Sequence, residues 1–553
     1  MSNTVSTLDV STPPPEQTPA STSATAPSPM APARAALYIA ASVILFVTQG
    51  LGMQFASANL VQLQGELQAT TNESAWLMAA YMAPYASMAI ALVKVRTQVG
   101  LRRFAEWSVI IFLGVSVLNL AVHDLQSGMV VRFISGMGAA PLSTLGFLYM
   151  LEAFPPARKL TVGLALALTN TALSAPLARL ISPVLITYGG WHSLYMFELG
   201  LALLIFPVIY LLPLTPIPHA KVIGKQDVLS YLCVAIGFGA LAVVLAVGRL
   251  YWWFEAPWIG ALLAVAIAAL TVFVLMELPR TAPMVDIRWL LTPQNLHFIA
   301  VLLVFRFVAS EQTSTATSFY LNLGINDGQI PTLYWIMLAG SIAGGLASAW
   351  FLDRKRIETA HVLALLLIAT GAYLDAHATN LTRPQEMYLS QAMVAAGAAL
   401  FLPTAMAKGL VAALAKGPHY MLTFIVIFLF TQAIGGLIAS ATLGTFMVLR
   451  QQFHLKTLLE HFVLTDPMVA DRVHTLSATY AKVVADKAAL ATEGITLLYQ
   501  QISREAYVLA YNDTFLLTSI IAGLALAALL GHLSFDWLRQ LKKTPELQAS
   551  NAE

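Results

Sequence analysis

Five ionisable side chains stand inside long apolar runs of this 553-residue chain: Arg132, Arg179, Glu198, Arg306 and Glu311. At the centre of a membrane helix a charge costs roughly 2.5–3.5 kcal/mol on insertion scales, so such groups face protein, water or a ligand and not lipid. Arg132 lies in VVRFISGMGAAPL. The Ser135, Gly136, Gly138, Ala139 and Ala140 behind it let a second helix approach closely, and Pro141 interrupts the backbone ladder and favours a bend. A fixed cation on a thin, bendable helix suits a pathway whose access alternates between two sides. The competing reading is a packing helix whose arginine snorkels to an interface.

Glu311, Thr315, Ser318 and Asn322 fall at offsets of four, seven and eleven, which on an α-helix is one continuous stripe. It is predicted to line a cavity, with packing against another polar helix as the alternative. Arg306 and Glu311 are five apart, about 140° round the helix, so each is expected to meet a charge on a different helix. Glu198, in GWHSLYMFELG, and Glu311 are the deepest carboxylates. A desolvated acid is costly as an anion, which suits a proton carrier; together with Arg132 they are the proton-coupling candidates. Gln54, Asn170, Ser174, Gln391 and Gln432 offer hydrogen bonds. With Arg179, Arg306, Thr315, Ser318 and Asn322 they form the candidate substrate cavity. No GxxxxGK[ST] phosphate loop, Ser/His/Asp set or metal-ligand spacing stands out, so neither an enzyme, a cofactor nor a metal is expected. The lone Cys233 allows no intrachain disulfide.

The elements that must position these residues are helices in a bilayer. The chain is 58% hydrophobic and 10% charged, against roughly 25% charged for soluble domains. A net charge of +2 gives nucleic-acid binding no electrostatic support. Barrel strands would alternate apolar and polar residues over about ten positions; here the apolar runs are continuous. About fourteen of them lie between residues 36 and 537, so the fold class is an all-α polytopic membrane protein. Residues 1–33, rich in Pro, Ser, Thr and Ala, cannot offset their ordering entropy and are read as a disordered tail. Lys94, Arg96, Arg102, Arg103, Arg158, Lys159, Arg354, Lys355 and Arg356 gather on one side of the spans. By the positive-inside rule that side is cytoplasmic and holds both termini. Residues 450–511 form a long insert on the other side. Asp466-Pro467 marks a helix start, with Asp as N-cap and Pro at the first helical position. Val469, Val473, Leu476 and Tyr480 then recur at helical spacing, as do Ile495, Leu498, Ile502 and Leu509.

VKVRTQVGLRRF follows the second run and AWFLDRKRI the tenth, both short basic turns. Together with RFISGMGAA they resemble the major facilitator superfamily. That family carries Gly-x-x-x-Asp-Arg-x-Gly-Arg-Arg after its second span and Arg-x-x-x-Gly-x-Gly in its fourth. Gly100, Arg102 and Arg103 match the first pattern, and Arg132, Gly136 and Gly138 the second. Asp353 and Arg354 keep the acid and base in the later copy. The resemblance makes these a conformational-gate motif. Fourteen spans and a long penultimate loop ending in REAYVLAYNDTFLL are similar to the drug:proton antiporter branch of EmrB/QacA type. Three positions depart from the family. Val93 and Thr97 replace Gly and Asp of the first loop. Residues 178–183 replace the fifth-span Gly-Pro-x-x-Gly-Gly. Gly52 replaces the first-span Asp.

The resemblance implies two six-helix bundles: 34–213, and 291–449 with the last helix at 512–538. Residues 214–290 would add two helices, 450–511 a periplasmic helical insert, and 539–553 a cytoplasmic tail. It further implies proton-coupled export of amphipathic or aromatic small molecules across a bacterial inner membrane. A periplasmic adaptor of the membrane-fusion type and an outer-membrane channel are the implied partners. Two alternatives stay open: an organic-anion transporter using the buried arginines, and a transporter-like sensor that has lost coupling.

Overall fold

The computed structural model describes residues 30–550 apart from 216–220, 282, 418–419, 464 and 484–485. The greater part of the expected N-terminal tail and the last three residues lie outside the described residues. The described residues form helices and no strand. The main helices are α1 (Pro32–Ala58), α2 (Thr71–Val99), α3 (Leu101–Asn119), α4 (Leu125–Glu152), α5 (Leu164–Gly189), α6 (His192–Leu211), α7 (Lys225–Val247) and α8 (Pro257–Glu277). They continue as α9 (Pro293–Asn322), α10 (Pro331–Asp353), α11 (Ile357–Asp375), α12 (Tyr388–Lys416), α13 (Tyr420–Glu460), α14 (Pro467–Ala478) and α15 (Lys487–Ser550).

Thirteen of the described helices are long and apolar enough to cross a membrane, and the chain is a multi-pass membrane protein. The expected third span, α3, is also a helix of 19 residues. Its first turns carry Arg102, Arg103 and Glu106, which dilute its apolar character. Arg102 and Arg103 remain exposed, and Arg102 Nε donates to Glu106 at 3.0 Å.

Local sequence explains the helix ends. Thr70 and Glu73 form a capping box at the start of α2. Asp124 caps α4 by accepting from the Ser127 backbone N–H at 2.8 Å; the Ser127 hydroxyl and then its N–H hold that carboxyl below the ordinary carboxylate range. Gly100, at φ +86°, turns the chain between α2 and α3, a conformation that costs a side-chain-bearing residue most.

Two groups of helices meet across α5, which packs on α10 and α12, and across α2, which packs on α13. Helix α7 lies on α2 and carries α8 on its outer face. Close helix approach is built from small residues. A Cβ on Gly136 would stand 2.1 Å from the Tyr81 carbonyl oxygen, so α4 can press on α2 only with glycine there.

Helix α13 has 41 residues, about 60 Å long and about twice the hydrocarbon thickness of a bilayer. Its far end and the first turns of α15 project together, with α14 between them. As the sequence predicts, Asp466 caps α14, accepting from Met468 N–H at 2.8 Å. Val469, Val473 and Leu476 cover Leu455 and Leu458 of α13 and Leu498 and Ile502 of α15. The extension therefore has its own small core, built from α13, α14 and α15. Tyr480, Ile495 and Leu509 stay largely exposed instead of joining that seam. Arg450 and His454 of α13 grip Asp513 of α15 at its base, His454 Nε2 at 2.6 Å.

Candidate functional site

Arg132 is 3% exposed. Its guanidinium donates to the Gly52 carbonyl oxygen of α1 at 2.7 Å and to the Tyr195 hydroxyl of α6 at 3.1 Å. It lies over the rings of Tyr195 and Tyr81, 5.3 and 5.9 Å from their centroids. Arg132 therefore sits inside the protein, and the snorkelling alternative does not hold. Glu198 is buried beside it and within its electrostatic reach. No ion pair joins them among the described residues, and Glu198 Oε2 has no hydrogen-bond partner.

Glu198 also occupies the space left by Gly52. A Cβ built on Gly52 would stand 2.6 Å from Glu198 Oε1. The position where the family's first-span acid is missing thus meets a carboxylate delivered from α6. Gln54, the nearest polar residue in sequence, only accepts from Ser57, at 2.9 Å.

The α9 stripe is not one continuous α-helical line. The α-helix stops at Ser310, a π-helical turn runs from Glu311 to Ala316, and α-helix resumes at Thr317. The wider turn rotates the two halves of the stripe relative to each other. Glu311 is turned toward α11 and α12, where Gln391 Nε2 donates to Glu311 Oε1 at 3.0 Å and to Asp375 Oδ2 at 2.8 Å. Ser390 also donates to Asp375. Glu311 thus meets a like charge through a shared amide, not a cation. Thr315 is buried, while Asn322 donates to the Tyr511 hydroxyl of α15 at 2.6 Å and Ser318 bonds the same hydroxyl. The lower stripe packs on a polar position of another helix.

Arg179 lies inside α5, ten residues before its end at Gly189, and its long side chain reaches the turn that precedes α10. Arg179 NH1 bonds Asp327 Oδ2 at 2.8 Å, from one group of helices to the other, and Tyr334 donates to the same carboxylate. A short turn, Pro156–Arg158, leads through a π-helical turn into α5, and there Arg158 meets Asp353 at 3.6 Å. Arg354 lies on the Trp350 ring, 4.3 Å from its centroid. Arg158 and Arg179 are 21 residues apart along the continuous helical span Pro156–Gly189, roughly 30 Å. Arg306, half-buried on α9, reaches no charge: among the described residues no hydrogen bond or ion pair involves its guanidinium, and Nε is shielded and unpartnered. Asn170 and Gln432 each leave an amide nitrogen unpartnered. Ser174 bonds only its own helix, to Thr171. Gly138 has room beside Val115, since a Cβ there would stand 3.5 Å from it.

Asp375 and Asp327 escaped the sequence reading. Asp375 closes an apolar run (LIATGAYLD) and passes for a helix-end residue; its depth there was the available signal. The network of Asp227 with Lys94 and Arg280, each at 2.7 Å, ties α7 and the end of α8 to α2. Its residues sit at helix ends and gave no signal of pairing.

A two-part, all-helical membrane protein with charges buried between its helices is the architecture of a known class. The sequence profile of the Major Facilitator Superfamily matches residues 42–440, and the chain belongs to that family. It is 24% identical over 258 residues to the fatty acid resistance protein FarB of Neisseria gonorrhoeae, covering 44% of this chain and 50% of FarB. It is 23% identical over 252 residues to the multidrug export protein EmrB of Escherichia coli K12, covering 45% of this chain and 48% of EmrB. The chain thus spans about half the length of the curated relatives it matches. The crystal structure of tetrameric PepTSo2 superposes with a TM-score of 0.53 at 15% identity, over 92% of this chain and 99% of that one. The proton:xylose symporter XylE superposes at 0.50 with 12% identity, over 88% and 95%. At such identities the likeness is one of fold.

Proposed function

We propose that this chain is a proton-coupled exporter of amphipathic or aromatic compounds, working by alternating access in a bacterial inner membrane with both termini in the cytoplasm. One observation carries the reading: Arg132 and Glu198 lie buried side by side without an ion pair, over the gap at Gly52. Leaving buried charges incompletely paired costs several kcal/mol, a poor investment for stability alone. It is useful where an acid must take up and release a proton as its surroundings change. Glu198 is the acceptor in this reading and Arg132 the group that biases it. Gly136, Gly138, Gly100, Arg102, Arg103, Asp353 and Arg354 belong to the surfaces that slide and relatch. The two bundles, the added α7–α8 pair and the helical insert at 450–511 are the working parts. The names of FarB and EmrB support export of amphipathic molecules. The insert is read as the dock for a periplasmic adaptor that passes cargo to an outer-membrane channel.

The test is proton flux in proteoliposomes containing a pH dye. With an imposed proton gradient, adding ethidium or a medium-chain carboxylate should accelerate proton movement, and Glu198→Gln should remove the acceleration while leaving binding. Flux independent of any added compound, or undiminished in Glu198→Gln, would overturn the assignment.

A further inference from the structure

Two acids lie together in the second half of the chain. Glu311 is fully buried and Asp375 is 2% exposed. Both accept from one nitrogen, Gln391 Nε2, at 3.0 and 2.8 Å. The bonded oxygens therefore stand within about 6 Å of each other, the range in which like charges disfavour each other's ionisation. The amide is held from behind, where Gln312 Nε2 donates to Gln391 Oε1 at 3.4 Å and to the Gln391 carbonyl oxygen at 3.2 Å. Ser390 donates to the other Asp375 oxygen. Glu311 Oε2 is buried with no partner. Among the described residues no cation bonds either acid. Tyr320 of α9 is within electrostatic reach of Asp375, and the exposed Glu386 and Tyr388 face it from the start of α12. The exposed His377 turns to the Tyr373 carbonyl oxygen at 2.9 Å. On α15, Tyr511 accepts from Asn322, and Asp513 is held by Arg450 and His454 of α13.

Two buried anions without a cation each forgo hydration and repel the other. One proton relieves both costs. Gln391 fits either state, because its nitrogen can donate to a carboxylate or to the carbonyl oxygen of a neutral carboxyl. We infer that Glu311 and Asp375 share one proton and form a second proton-carrying site, separate from Glu198. The site rests on the transport reading only in taking that proton as one that moves during export. Such acids titrate as a pair and not as two residues. Asp375 is the last residue of α11, beside the loop that leads to α12, and Glu311 lies eleven residues inside the end of α9 at Asn322. A proton arriving from that loop meets Asp375 first. Glu311 also opens the π-helical turn, so loss of the proton sets two like charges against each other at the joint of α9 and pushes α9 from α11.

Infrared difference spectra of protein in nanodiscs, between neutral and alkaline buffer, read the C=O band of protonated carboxyls, since exposed acids are already ionised there. In a Glu198→Gln background the band should correspond to one carboxyl per chain. Adding Glu311→Gln with Asp375→Asn should abolish it. Gln391→Leu keeps both acids and removes their shared donor, so it should shift the band in frequency without abolishing it, which a purely structural glutamine would not do. No band, a band of two carboxyls, or one that survives the double variant would overturn the shared proton. With Glu198 intact, the double variant should also lose the compound-dependent acceleration of proton flux in proteoliposomes. Undiminished acceleration would overturn the site's part in export. A one-carboxyl band in a protein that shows no compound-dependent flux would keep the pair and reject the export reading.

Discussion

Removing Arg179 should open one end of the protein. Its guanidinium meets Asp327 at 2.8 Å, with the two side chains only 16% and 15% exposed. Two unit charges about 4 Å apart attract by about 4 kcal/mol at an effective dielectric near 20. Allowing for the water each gives up, a net of about 2 kcal/mol is reasonable, or roughly 30-fold in the ratio of closed to open forms at that end. The pair at the other end is different: Arg158 and Asp353 are 3.6 Å apart and 61% and 46% exposed. Exposed pairs contribute about 0.2–1 kcal/mol, so its loss should shift the balance by only about 1.4- to 5-fold. Spin labels can read both ends in a Cys233→Ala background. Tyr188 and Leu381, 87% and 75% exposed, follow α5 and α11 on the Arg179 end. Arg103 and Arg356 report on the Arg158 end. Arg179→Ala and Asp327→Asn should each convert a minor long-distance population between Tyr188 and Leu381 into the major one. Asp353→Asn should change the Arg103–Arg356 distribution only slightly. An unchanged Tyr188–Leu381 distribution in both variants would refute the latch, as would a larger effect from Asp353→Asn.

Arg132→Ala should abolish transport and lower stability by about 2–3 kcal/mol, because the Gly52 carbonyl and Tyr195 hydroxyl lose a charged donor; Arg132→Lys should also transport poorly, lacking the planar fork. Thermal unfolding and liposome flux check both effects, and normal flux in either variant would remove Arg132 from the mechanism. Gly52→Ala should reduce proton-driven accumulation severalfold by pushing on Glu198, and adding Glu198→Asp, one methylene shorter, should recover part of it. No recovery, with the double variant folded, would mean that Gly52 acts otherwise. Replacing residues 466–492 by a Gly/Ser linker should leave liposome transport intact, since the extension has its own small core, while cells lose resistance and the adaptor no longer co-purifies. Joint loss of stability and liposome transport would show that the extension supports the bundle.

Much of the fold was legible because membrane helices announce themselves. Continuous apolar runs and Asp466 as a cap are signals local in sequence, and each appears where expected. The third span shows the limit: Arg102, Arg103 and Glu106 thin its hydropathy, yet α3 persists because α4 and α6 pack on it. The stripe on α9 failed for a related reason. Counting offsets assumes a constant 3.6 residues per turn, and the π-helical turn at Glu311–Ala316 breaks the count at the residue of greatest interest.

Side-chain partners were the least legible part, because pairing is a property of folded geometry. Nothing near Gly52 in the sequence hints at Glu198, 146 positions later. Read along the chain, Gly52 is an acid lost; read in space, it is room made for an acid from α6. The same logic separates the three arginines inside the spans, which the sequence treats as equals. Arg132 has a carbonyl and a hydroxyl for its two amino groups and leaves Nε unpartnered, and Arg179 has a carboxylate. Arg306 rests on a glycine with no acceptor. A buried charge that the protein satisfies holds structure together or latches it. One that it leaves unsatisfied keeps its donors free, and in this protein that distinction separates Arg306, which has no acceptor among the described residues, from Arg179, which has Asp327.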